Sequence, residues 1–587
     1  MKIPKLFWQS APFLLAGFGG ILMGLTPGPV EAWFLAWVAL VPLWFLVARS
    51  KSIRHSILYG LIWGIGYHGL ALSWITGIHP MDWMGVPWLA SISIAVFCWT
   101  FITLCGAILV SLWAGLITLL NNWEFSIKKN GAKTQNPKLK TLFRILLGVG
   151  LWCGLEAIWS SGSLWWSSLS YTQSPHNLVI LHLGKLSGPS MVTAAIVAVN
   201  GLMAEAWISY DYSQEMRRWD WESPQFGKNL SYILPPPFNK GGWGGENFGN
   251  KQVSFPKQDA PWEDGEKNNY SQLPKESITY FSIAIGLLFI LHAIGFGLYS
   301  RPLNQPTETA LKVGIIQGNI SNRIKLYPEG WYRAIQGYTK GYNKLADEGV
   351  QAVLTPETAL PFLWENQVRD RSPFYSAILD KGVLAWVGAL GEEGGGFTNS
   401  LFTVTGAGET FSRYDKTKLV PLGEYIPFQE ILAKLINRLS PLNADLVPGK
   451  PNQVFETPYG RAIVGICYES AFANHFRKQA ANGGEFILTA SNNAHYTQTM
   501  PAQHHALDVM RAIETDRWAV RATNTGYSGI VDPHGKTIWI SGINIYEIHS
   551  DTIYRRQTQT LYVEWGDWLT PLLLVLAALT RGLILYG

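Results

Sequence analysis

Long apolar stretches fill the first half of the chain and recur at its end. A stretch of roughly 17–25 apolar residues is long enough to cross a bilayer as a helix. The pattern predicts a polytopic α-helical membrane bundle of eight spans, at Phe13–Leu25, Ala32–Val47, Ile57–Ile75, Val86–Leu120, Leu142–Trp159, Leu178–Ile208, Ile278–Tyr299 and Trp568–Leu585. The first two stretches are short, and the stretch from Val86 is long enough for two helices although no turn signal divides it. A single helix is predicted there, because an extra span would break the alternation of basic connections described below.

The hydrophobic pattern changes after Leu311. Short β-type apolar runs predict buried strands at Leu311–Gln317, Gln351–Thr355, Val383–Leu390, Arg461–Ile466 and Glu485–Ala490. Between these runs, the spacing predicts helices at Trp331–Asp347 and Pro501–Asp516. Strands that alternate with helices predict a layered α/β or α+β domain, and its polar candidate residues gather at strand ends, where such folds usually place sites.

Composition and charge support a membrane protein and give its orientation. The 587 residues are 48% hydrophobic and only 15% charged, which is apolar for a soluble protein, and the 27 Trp and 24 Tyr suit the water–lipid boundary. Positive charge is retained on the cytoplasmic side of a membrane. Basic residues precede the first predicted span and occupy the second, fourth and sixth connections, whereas the first, third and fifth connections contain no Lys or Arg.

This alternation predicts that both termini lie in the cytoplasm. We therefore expect six spans in residues 1–209, a cytoplasmic loop at 210–275, a seventh span at 276–300, an extracytoplasmic domain at 301–567 and an eighth span at 568–587. The loop is rich in Pro and Gly, a composition that predicts disorder. The N-terminal segment is followed by further spans and has no clear small-residue cleavage site, so it is not predicted to be a cleavable signal peptide.

Cys467 is the candidate nucleophile. It follows a β-type run at the point where the pattern predicts that a strand gives way to a helix. A thiol at a helix N-terminus feels the positive end of the helix dipole, which favours the thiolate and predicts a nucleophile or a metal ligand. Cys98, Cys105 and Cys153 lie in apolar stretches, where a thiol usually serves as a small hydrophobic side chain.

Two further segments carry candidate chemistry. Glu357 follows a predicted strand, and Lys416 lies in a polar segment that follows Arg413 and Tyr414. A carboxylate that accepts a proton, a lysine and a thiol are together sufficient for acyl transfer through a thioester. Each side chain alone is more often a solvated surface group, so the interpretation depends on the three segments together.

In their order and neighbours, these segments resemble the carbon-nitrogen hydrolase (nitrilase) superfamily and its Glu-Lys-Cys triad. Its membrane members, the apolipoprotein N-acyltransferases, are the more similar group. The shared motifs are Gln317–Ile320, Val420–Glu424, Cys467–Glu469, Ser491–Ala494, Pro501, Gln503, His504, Arg511, Ala512, Glu514, Arg521–Gly526 and Asp532–Gly535. The resemblance covers nearly the whole chain, because the family also has eight spans with the catalytic domain before the last one.

The resemblance implies a fold, a reaction and a location. The extracytoplasmic domain is expected to be an α-β-β-α sandwich of nitrilase type, on the periplasmic side of a bacterial inner membrane. The implied reaction is ping-pong: Cys467 takes an acyl chain from a phospholipid and passes it to the α-amino group of the diacylglyceryl-cysteine of an apolipoprotein. No cofactor, metal or nucleic acid is expected, and the chain is expected to be a monomer.

The resemblance also assigns roles to the triad. Glu357 is expected to be the general base toward the thiol and later toward the amine. Lys416 is expected to stabilise the tetrahedral oxyanion together with a backbone N–H near the nucleophile. Lys418 is the rival for this role, but Lys416 matches the family's Tyr-x-Lys, while Lys418 occupies a position that is commonly histidine.

Other residues near the triad are expected to support it. Glu424 and Glu469 are expected to hold Lys416 or to assist Glu357, although Glu469 could equally serve as a salt-bridge partner or an N-cap. Tyr468 could pack against the nucleophile or shape the acyl pocket. His495 and His504 have no accompanying ligand cluster, so a structural role is favoured for both.

The chain departs from the family pattern at two places. The family often has Trp shortly after Gln-Gly-Asn-Ile, where this chain has Leu326 and then Tyr327. It usually has Asp-x-Trp-Phe after Ser-Asn, where this chain reads Asn493, Ala494, His495 and Tyr496. These differences leave the triad intact, and the family's substrate contacts at these positions are not carried over to this chain.

The segment after Lys416 is amphipathic. Apolar residues share one face of a predicted helix at Ile431, Leu432, Leu435, Ile436 and Leu439. This face could dip into the outer leaflet as an arm, or it could pack on the domain, and periodicity alone does not separate the two. Two rival functions also remain: a membrane-anchored amidase or nitrilase that uses water as acceptor, and a non-catalytic receptor that has kept a hydrolase fold.

Overall fold

The computed structural model describes residues 5–127, 136–222, 273–365, 367–421, 423–425 and 446–586. The predicted amphipathic segment at Ile431–Leu439 lies outside these ranges. Most of the predicted cytoplasmic loop, at 223–272, also lies outside them. The beginning of that predicted loop is helical, because the preceding helix continues to Glu222.

Helices occupy each apolar stretch of the first half of the chain. They are α1 Lys5–Gly24, α2 Val41–Arg49, α3 Ile53–Ala71, α4 Trp88–Ile127, α5 Pro137–Ser161, α6 Leu178–Leu181, α7 Gly184–Ser187, α8 Pro189–Glu222 and α9 Lys275–Tyr299. Among the described residues, four helices are long and apolar enough to cross a membrane, and these are in α4, α5, α8 and α9. The remaining apolar stretches form shorter or less apolar helices.

Two predictions about these helices have opposite outcomes. The single helix predicted from Val86 is confirmed, because α4 runs without interruption. The single helix predicted over Leu178–Ile208 is wrong, because the stretch is divided into α6, α7 and α8. The division has a backbone cause: Gly188 has φ +69°, which ends α7, and Pro189 begins α8.

The strands between Ala310 and Tyr554 form two β-sheets, and this part of the chain is called the sheet domain. Its strands are β1 Ala310–Gln317, β2 Ala352–Leu354, β3 Leu360–Leu363, β4 Leu384–Glu393, β5 Gly396–Val404, β6 Thr410–Asp415, β7 Phe455–Thr457, β8 Gly460–Ile466, β9 Phe486–Ser491, β10 Ala519–Thr523, β11 Gly529–Val531, β12 Thr537–Ile540 and β13 Glu547–Tyr554. Within the described chain, one sheet has the order β13-β1-β2-β4-β5-β6 with β3 beside β4, and the other has the order β12-β11-β10-β9-β8-β7. The five strands predicted from the sequence are confirmed as β1, β2, β4, β8 and β9.

Helices cover the outer faces of both sheets. They are α10 Asn322–Lys325, α11 Pro328–Asp347, α12 Gln367–Asp370, α13 Pro373–Lys381, α14 Ala473–Ala481 and α15 Thr499–Thr515. Two further helices follow in the chain, α16 Leu561–Trp565 and α17 Leu569–Tyr586, and α17 packs on the helical bundle. One apolar core lies between the sheets, a second joins the first sheet to α11 and α13, and a third joins the second sheet to α14 and α15. This is the predicted α-β-β-α arrangement, and the helices predicted within it are confirmed as α11 and α15.

The helical part of the chain contacts the sheet domain directly. The indole N–H groups of Trp74 and Trp166 both donate to Gln503 Oε1, at 3.1 and 2.9 Å. The amide of Gln503 in turn donates to the carbonyl oxygens of Gly28 and Ala71. A buried ion pair between Lys185 and Asp516, at 2.7 Å, adds a second connection. These contacts fix α15, and the site beside it, against the helical bundle.

Candidate active site

Glu357 lies just beyond the carboxyl end of β2 and is 7% exposed. The residue after it, Thr358, has φ +47°, so the chain turns sharply here before β3 begins. One carboxylate oxygen, Oε1, accepts hydrogen bonds from Lys416 Nζ at 3.0 Å and from Asn399 Nδ2 at 2.7 Å. The turn and these two donors hold the carboxylate in one orientation inside the domain.

Lys416 is the residue that follows β6, and only 1% of it is exposed. Its backbone N–H donates to Asn399 O at 2.8 Å, which fixes the end of the strand. Its ammonium donates to Glu357 Oε1 at 3.0 Å and to Glu424 Oε1 at 2.9 Å. Asn399 Nδ2 also donates to Glu424 Oε1, at 3.1 Å. The two carboxylates therefore share one lysine and one amide.

This arrangement sets the charges of the pair. Burial raises the pKa of the Glu357 carboxyl, but the charges of Lys416 and Lys325 outweigh it and leave the pKa below its usual value. Burial alone would lower the pKa of Lys416, but Glu357 and Glu424 hold it well above its usual value. At neutral pH, Glu357 is a carboxylate that can accept a proton, and Lys416 is a cation.

Cys467 begins a short turn of 3₁₀-helix, Cys467–Ala471, directly after β8. It has φ +52° and is 7% exposed. The predicted activation by a helix dipole is wrong, because five residues of 3₁₀-helix replace the expected helix and burial, together with the Glu357 charge, raises the pKa of the thiol to about 12. The resting group is a thiol, so a base must remove its proton before it can attack.

Glu469 joins the segment of Cys467 to the segment of Lys416, and it is completely buried. Its Oε2 accepts from the backbone N–H of Ile466 at 2.8 Å. Its Oε1 accepts from the backbone N–H groups of Thr417 and Lys418, at 2.7 and 3.1 Å. Unlike Glu424, Glu469 orders main chain on both sides of the site and makes no described hydrogen bond to the Lys416 ammonium.

Lys418 and Tyr468 both point toward the helical bundle. Lys418 Nζ is 3.4 Å from Ser161 O and lies over the ring of Phe472, 4.9 Å from its centre. Tyr468 donates its hydroxyl to Ser163 O at 2.7 Å and packs edge-on against Phe472. The geometry therefore favours Lys416 over Lys418 as the cation of the site, and Tyr468 packs beside the nucleophile at the junction with the bundle.

The two candidate histidines differ in position. His504 is fully buried on α15, and its Nε2 is 2.8 Å from Cys467 O while its Nδ1 is 3.1 Å from Asn493 Nδ2. Burial lowers the pKa of His504 to about 3, so it is neutral and fits a hydrogen-bonding role behind the nucleophile. His495 is exposed and stacks on Trp83 with ring centres 5.7 Å apart. Within the described ranges, no group of three His, Cys, Asp or Glu side chains is arranged to hold a metal ion.

The positions that depart from the family pattern are occupied by other contacts. Asn493 is buried and binds His504, and Tyr496 packs edge-on against Trp74 with ring centres 4.9 Å apart. Tyr327 is half exposed at the beginning of α11. The loop from the helical bundle that carries Trp74 and Trp83 therefore lies directly over the 493–496 segment.

Sequence reasoning missed two polar residues of the site. Asn399 on β5 donates to both Glu357 and Glu424. Lys325, at the end of α10, is buried and donates its ammonium to Glu357 O at 3.0 Å. Asn399 lies in a segment for which the sequence predicted no strand and no motif. Lys325 lies five residues after Ile320, the last residue of the Gln317–Ile320 motif, in a segment where a lysine is ordinarily solvated, so no signal in the sequence marked it.

Comparison with known proteins gives the family. Residues 19–202 match the model of the apolipoprotein N-acyltransferase N-terminal domain, and residues 312–557 match the model of carbon-nitrogen hydrolase. The apolipoprotein N-acyltransferase of Nostoc sp. is 53% identical over 96% of this chain and 98% of its own length. The chain belongs to the apolipoprotein N-acyltransferase family. The member from Synechocystis sp. is 46% identical over 95% of this chain and 98% of its own length.

A solved structure also matches part of the chain. An amidase of the nitrilase superfamily from Nesterenkonia is 19% identical, with a TM-score of 0.35, and the match covers 46% of this chain and 97% of the amidase.

Proposed function

We propose that this chain N-acylates lipoproteins, by transferring an acyl chain to the α-amino group of their diacylglyceryl-cysteine through a thioester on Cys467. The observation that carries the proposal is the buried contact of Glu357 with Lys416, in the same site as the protonated thiol of Cys467. Membership of the family supplies the acyltransferase activity and the lipoprotein substrate. The donor is proposed to be a phospholipid.

The first half-reaction loads the enzyme. Glu357 takes the proton from Cys467 Sγ, and the sulfur attacks the ester carbonyl carbon of the donor. The carbonyl oxygen becomes an oxyanion, which the Lys416 ammonium stabilises. When the C–O bond breaks, the departing alkoxide takes the proton from Glu357 and leaves as a lysophospholipid. Glu357 is again a carboxylate, and Cys467 carries the acyl chain.

The second half-reaction transfers the acyl chain from Cys467 to the lipoprotein. Glu357 accepts a proton from the α-amino group of the lipoprotein as the nitrogen attacks the thioester carbon. Lys416 stabilises the second oxyanion, the C–S bond breaks, and the proton on Glu357 returns to the sulfur. The same two residues thus serve both half-reactions. A thiol with a raised pKa suits this scheme, because Glu357 rather than the solvent controls when the sulfur becomes anionic.

The supporting residues act on the triad through different contacts. Glu424 is a second carboxylate partner of the Lys416 ammonium, so the cation keeps its place when Glu357 becomes protonated. Glu469 orders the main chain on either side of the site. Tyr468 packs where the sheet domain meets the bundle. It is proposed to form part of the wall of the acyl pocket.

We further propose eight spans with the catalytic domain on the periplasmic side of the inner membrane. The alternation of basic and Lys/Arg-free connections supports this topology. The domain limits are those given above, with residues 301–567 outside the cytoplasm and 568–587 as the last span. Lys418 and Tyr468 contact residues 161–163 of the bundle, which brings the site close to the membrane and suits substrates that are lipids.

A product assay separates this function from its rivals. Purified protein is supplied with phospholipid and a diacylglyceryl-cysteine peptide, and mass spectrometry follows the peptide and the free fatty acid. An amide-linked acyl group on the peptide is the expected product. Free fatty acid without acylated peptide would indicate a hydrolase, and no turnover with an unmodified Cys467 would indicate a receptor.

A further inference from the structure

Lys325 is a buried lysine beside the triad to which the mechanism above gives no role. It ends α10 and is 6% exposed, whereas lysine is almost never fully buried without a partner. Its ammonium donates to the carbonyl oxygen of Glu357 at 3.0 Å. In the described part of the chain, no carboxylate lies within ion-pair distance of it. Burying a cation in this way is costly, so a compensating function is expected.

The segment that carries Lys325 is tied to the strand ends around the nucleophile. Asn319 N donates to Asn524 O at 2.6 Å, and the Asn524 side chain exchanges two hydrogen bonds with the backbone of Ile320, at 2.9 and 2.7 Å. Asn492 donates its side-chain amide to Asn322 Oδ1 at 3.1 Å. The carbonyl of the same Asn492 faces the Cys467 sulfur at 4.0 Å. The position of Lys325 is therefore fixed relative to Cys467.

The charge balance of the site shows what this lysine can do. Glu357 and Glu424 contribute two negative charges against the single positive charge of Lys416. Transfer of the Cys467 proton to Glu357 moves one negative charge to the sulfur and then to the substrate oxygen, so the buried site carries one uncompensated negative charge before and during the reaction. A second cation offsets that charge.

We propose that Lys325 is a positioning residue of the acyl-transfer site, which holds the main chain of Glu357 and supplies the second positive charge that keeps Glu357 ionised. This inference rests on the proposed function, because it concerns the base of that reaction. Lys325 acts through Glu357 and does not contact the reacting atoms.

The ionisation of Lys325 gives the role a measurable signature. Burial lowers the pKa of Lys325 to about 8, although Glu357 and Cys467 act in the opposite direction. The charged or titratable groups that interact with it are Glu357, Cys467 and His495. Lys325 is therefore charged at neutral pH and loses its charge in mildly alkaline solution, where Glu357 and Lys416 keep theirs.

The test uses the full-length protein in lipid nanodiscs and measures the rate of acyl-thioester formation on Cys467 across pH. Wild type is compared with Lys325→Met, which keeps the length but not the charge, and with Lys325→Arg, which keeps the charge. Lys340→Met removes one exposed lysine from the neighbouring α11 and is the control. Thermal unfolding of each variant is measured in the same nanodiscs.

Lys325→Met is expected to slow acylation about tenfold or more and to move the acid limb of the profile to higher pH, because the loss of a nearby cation raises a carboxyl pKa by about one unit or more. The wild-type rate is expected to decline near pH 8, where Lys325 loses its charge. Lys325→Arg is expected to keep the acid limb of wild type and to abolish this decline, because a guanidinium does not titrate there. Lys340→Met is expected to match wild type in both respects.

Other outcomes overturn the inference. An acid limb that does not shift in Lys325→Met would assign Lys325 to packing alone. The same conclusion would follow if Lys325→Met and Lys325→Arg lost acylation rate equally and in proportion to their loss of thermal stability. If Lys325→Met does not fold, the decline near pH 8 decides, and its persistence in Lys325→Arg would contradict the inference. Absence of any acyl adduct in wild type would instead contradict the proposed function.

Discussion

Replacement of Glu469 by Ala tests how the two catalytic segments are held together. The side chain is fully buried and accepts hydrogen bonds from the backbone N–H groups of Ile466, Thr417 and Lys418. The alanine variant leaves these three donors without their acceptor. At about 1 kcal/mol for each, the lower limit for an unsatisfied buried group, the free energy of unfolding should fall by about 3 kcal/mol.

This loss should appear in two measurements. For a domain of this size, about 3 kcal/mol corresponds to a decrease of roughly 6–12 °C in melting temperature. The rate of Cys467 acylation should also fall, by about a hundredfold, because displacement of a catalytic group by about 1 Å can cost that much. Glu409→Ala removes an exposed carboxylate from the turn between β5 and β6 and serves as the matched control. A Glu469→Ala variant that melts and reacts like the control would refute the reasoning.

Three further predictions concern charge and topology. Lys416→Ala should reduce the rate of Cys467 acylation by about a hundredfold or more, because it removes a donor to the oxyanion, while Lys418→Ala should have a much smaller effect. The reverse order in the same rate assay would move the catalytic assignment by two residues. Lys416 and Lys325 hold the pKa of Glu357 below its usual value, so activity should be present at neutral pH and be lost only as the pH falls through that lowered pKa. A pH–rate profile with its acid limb above the ordinary glutamate pKa would contradict this. A membrane-impermeant thiol label should reach a single cysteine placed at Gly162 in intact cells but one placed at Gly241 only after the membrane is opened, and labelling at Gly241 in intact cells would refute the eight-span topology.

The sequence was sufficient for elements with a strong period. The buried strands β1, β2, β4, β8 and β9 and the helices α11 and α15 all follow from their hydrophobic patterns. The pattern was insufficient where backbone conformation decides. An apolar run over 178–208 does not reveal that Gly188 adopts a positive φ and divides the helix, and a strand followed by Cys467 does not reveal whether an α-helix or a short 3₁₀ turn comes next.

In the candidate site, too, the sequence predicted the residues that lie in motifs but not the properties that depend on folding. Glu357, Lys416 and Cys467 were predicted from the motifs that surround them, and the structure gathers their segments at the ends of β2, β6 and β8. The protonation state of the thiol was predicted wrongly, because it depends on burial and on a neighbouring carboxylate that only the folded chain brings close. Lys325 was missed for a similar reason, since its burial depends on the packing of distant segments.

The central claim is that Cys467 carries the acyl chain between the two substrates. The most direct test is intact-mass analysis of the protein incubated with phospholipid, before and after addition of a diacylglyceryl-cysteine peptide, with Cys467→Ala and Cys467→Ser as controls. The account predicts an acyl adduct on Cys467 that disappears as the amide product forms, and no adduct and no product in either variant. Acylated peptide at near-normal yield from Cys467→Ala or Cys467→Ser would contradict the account.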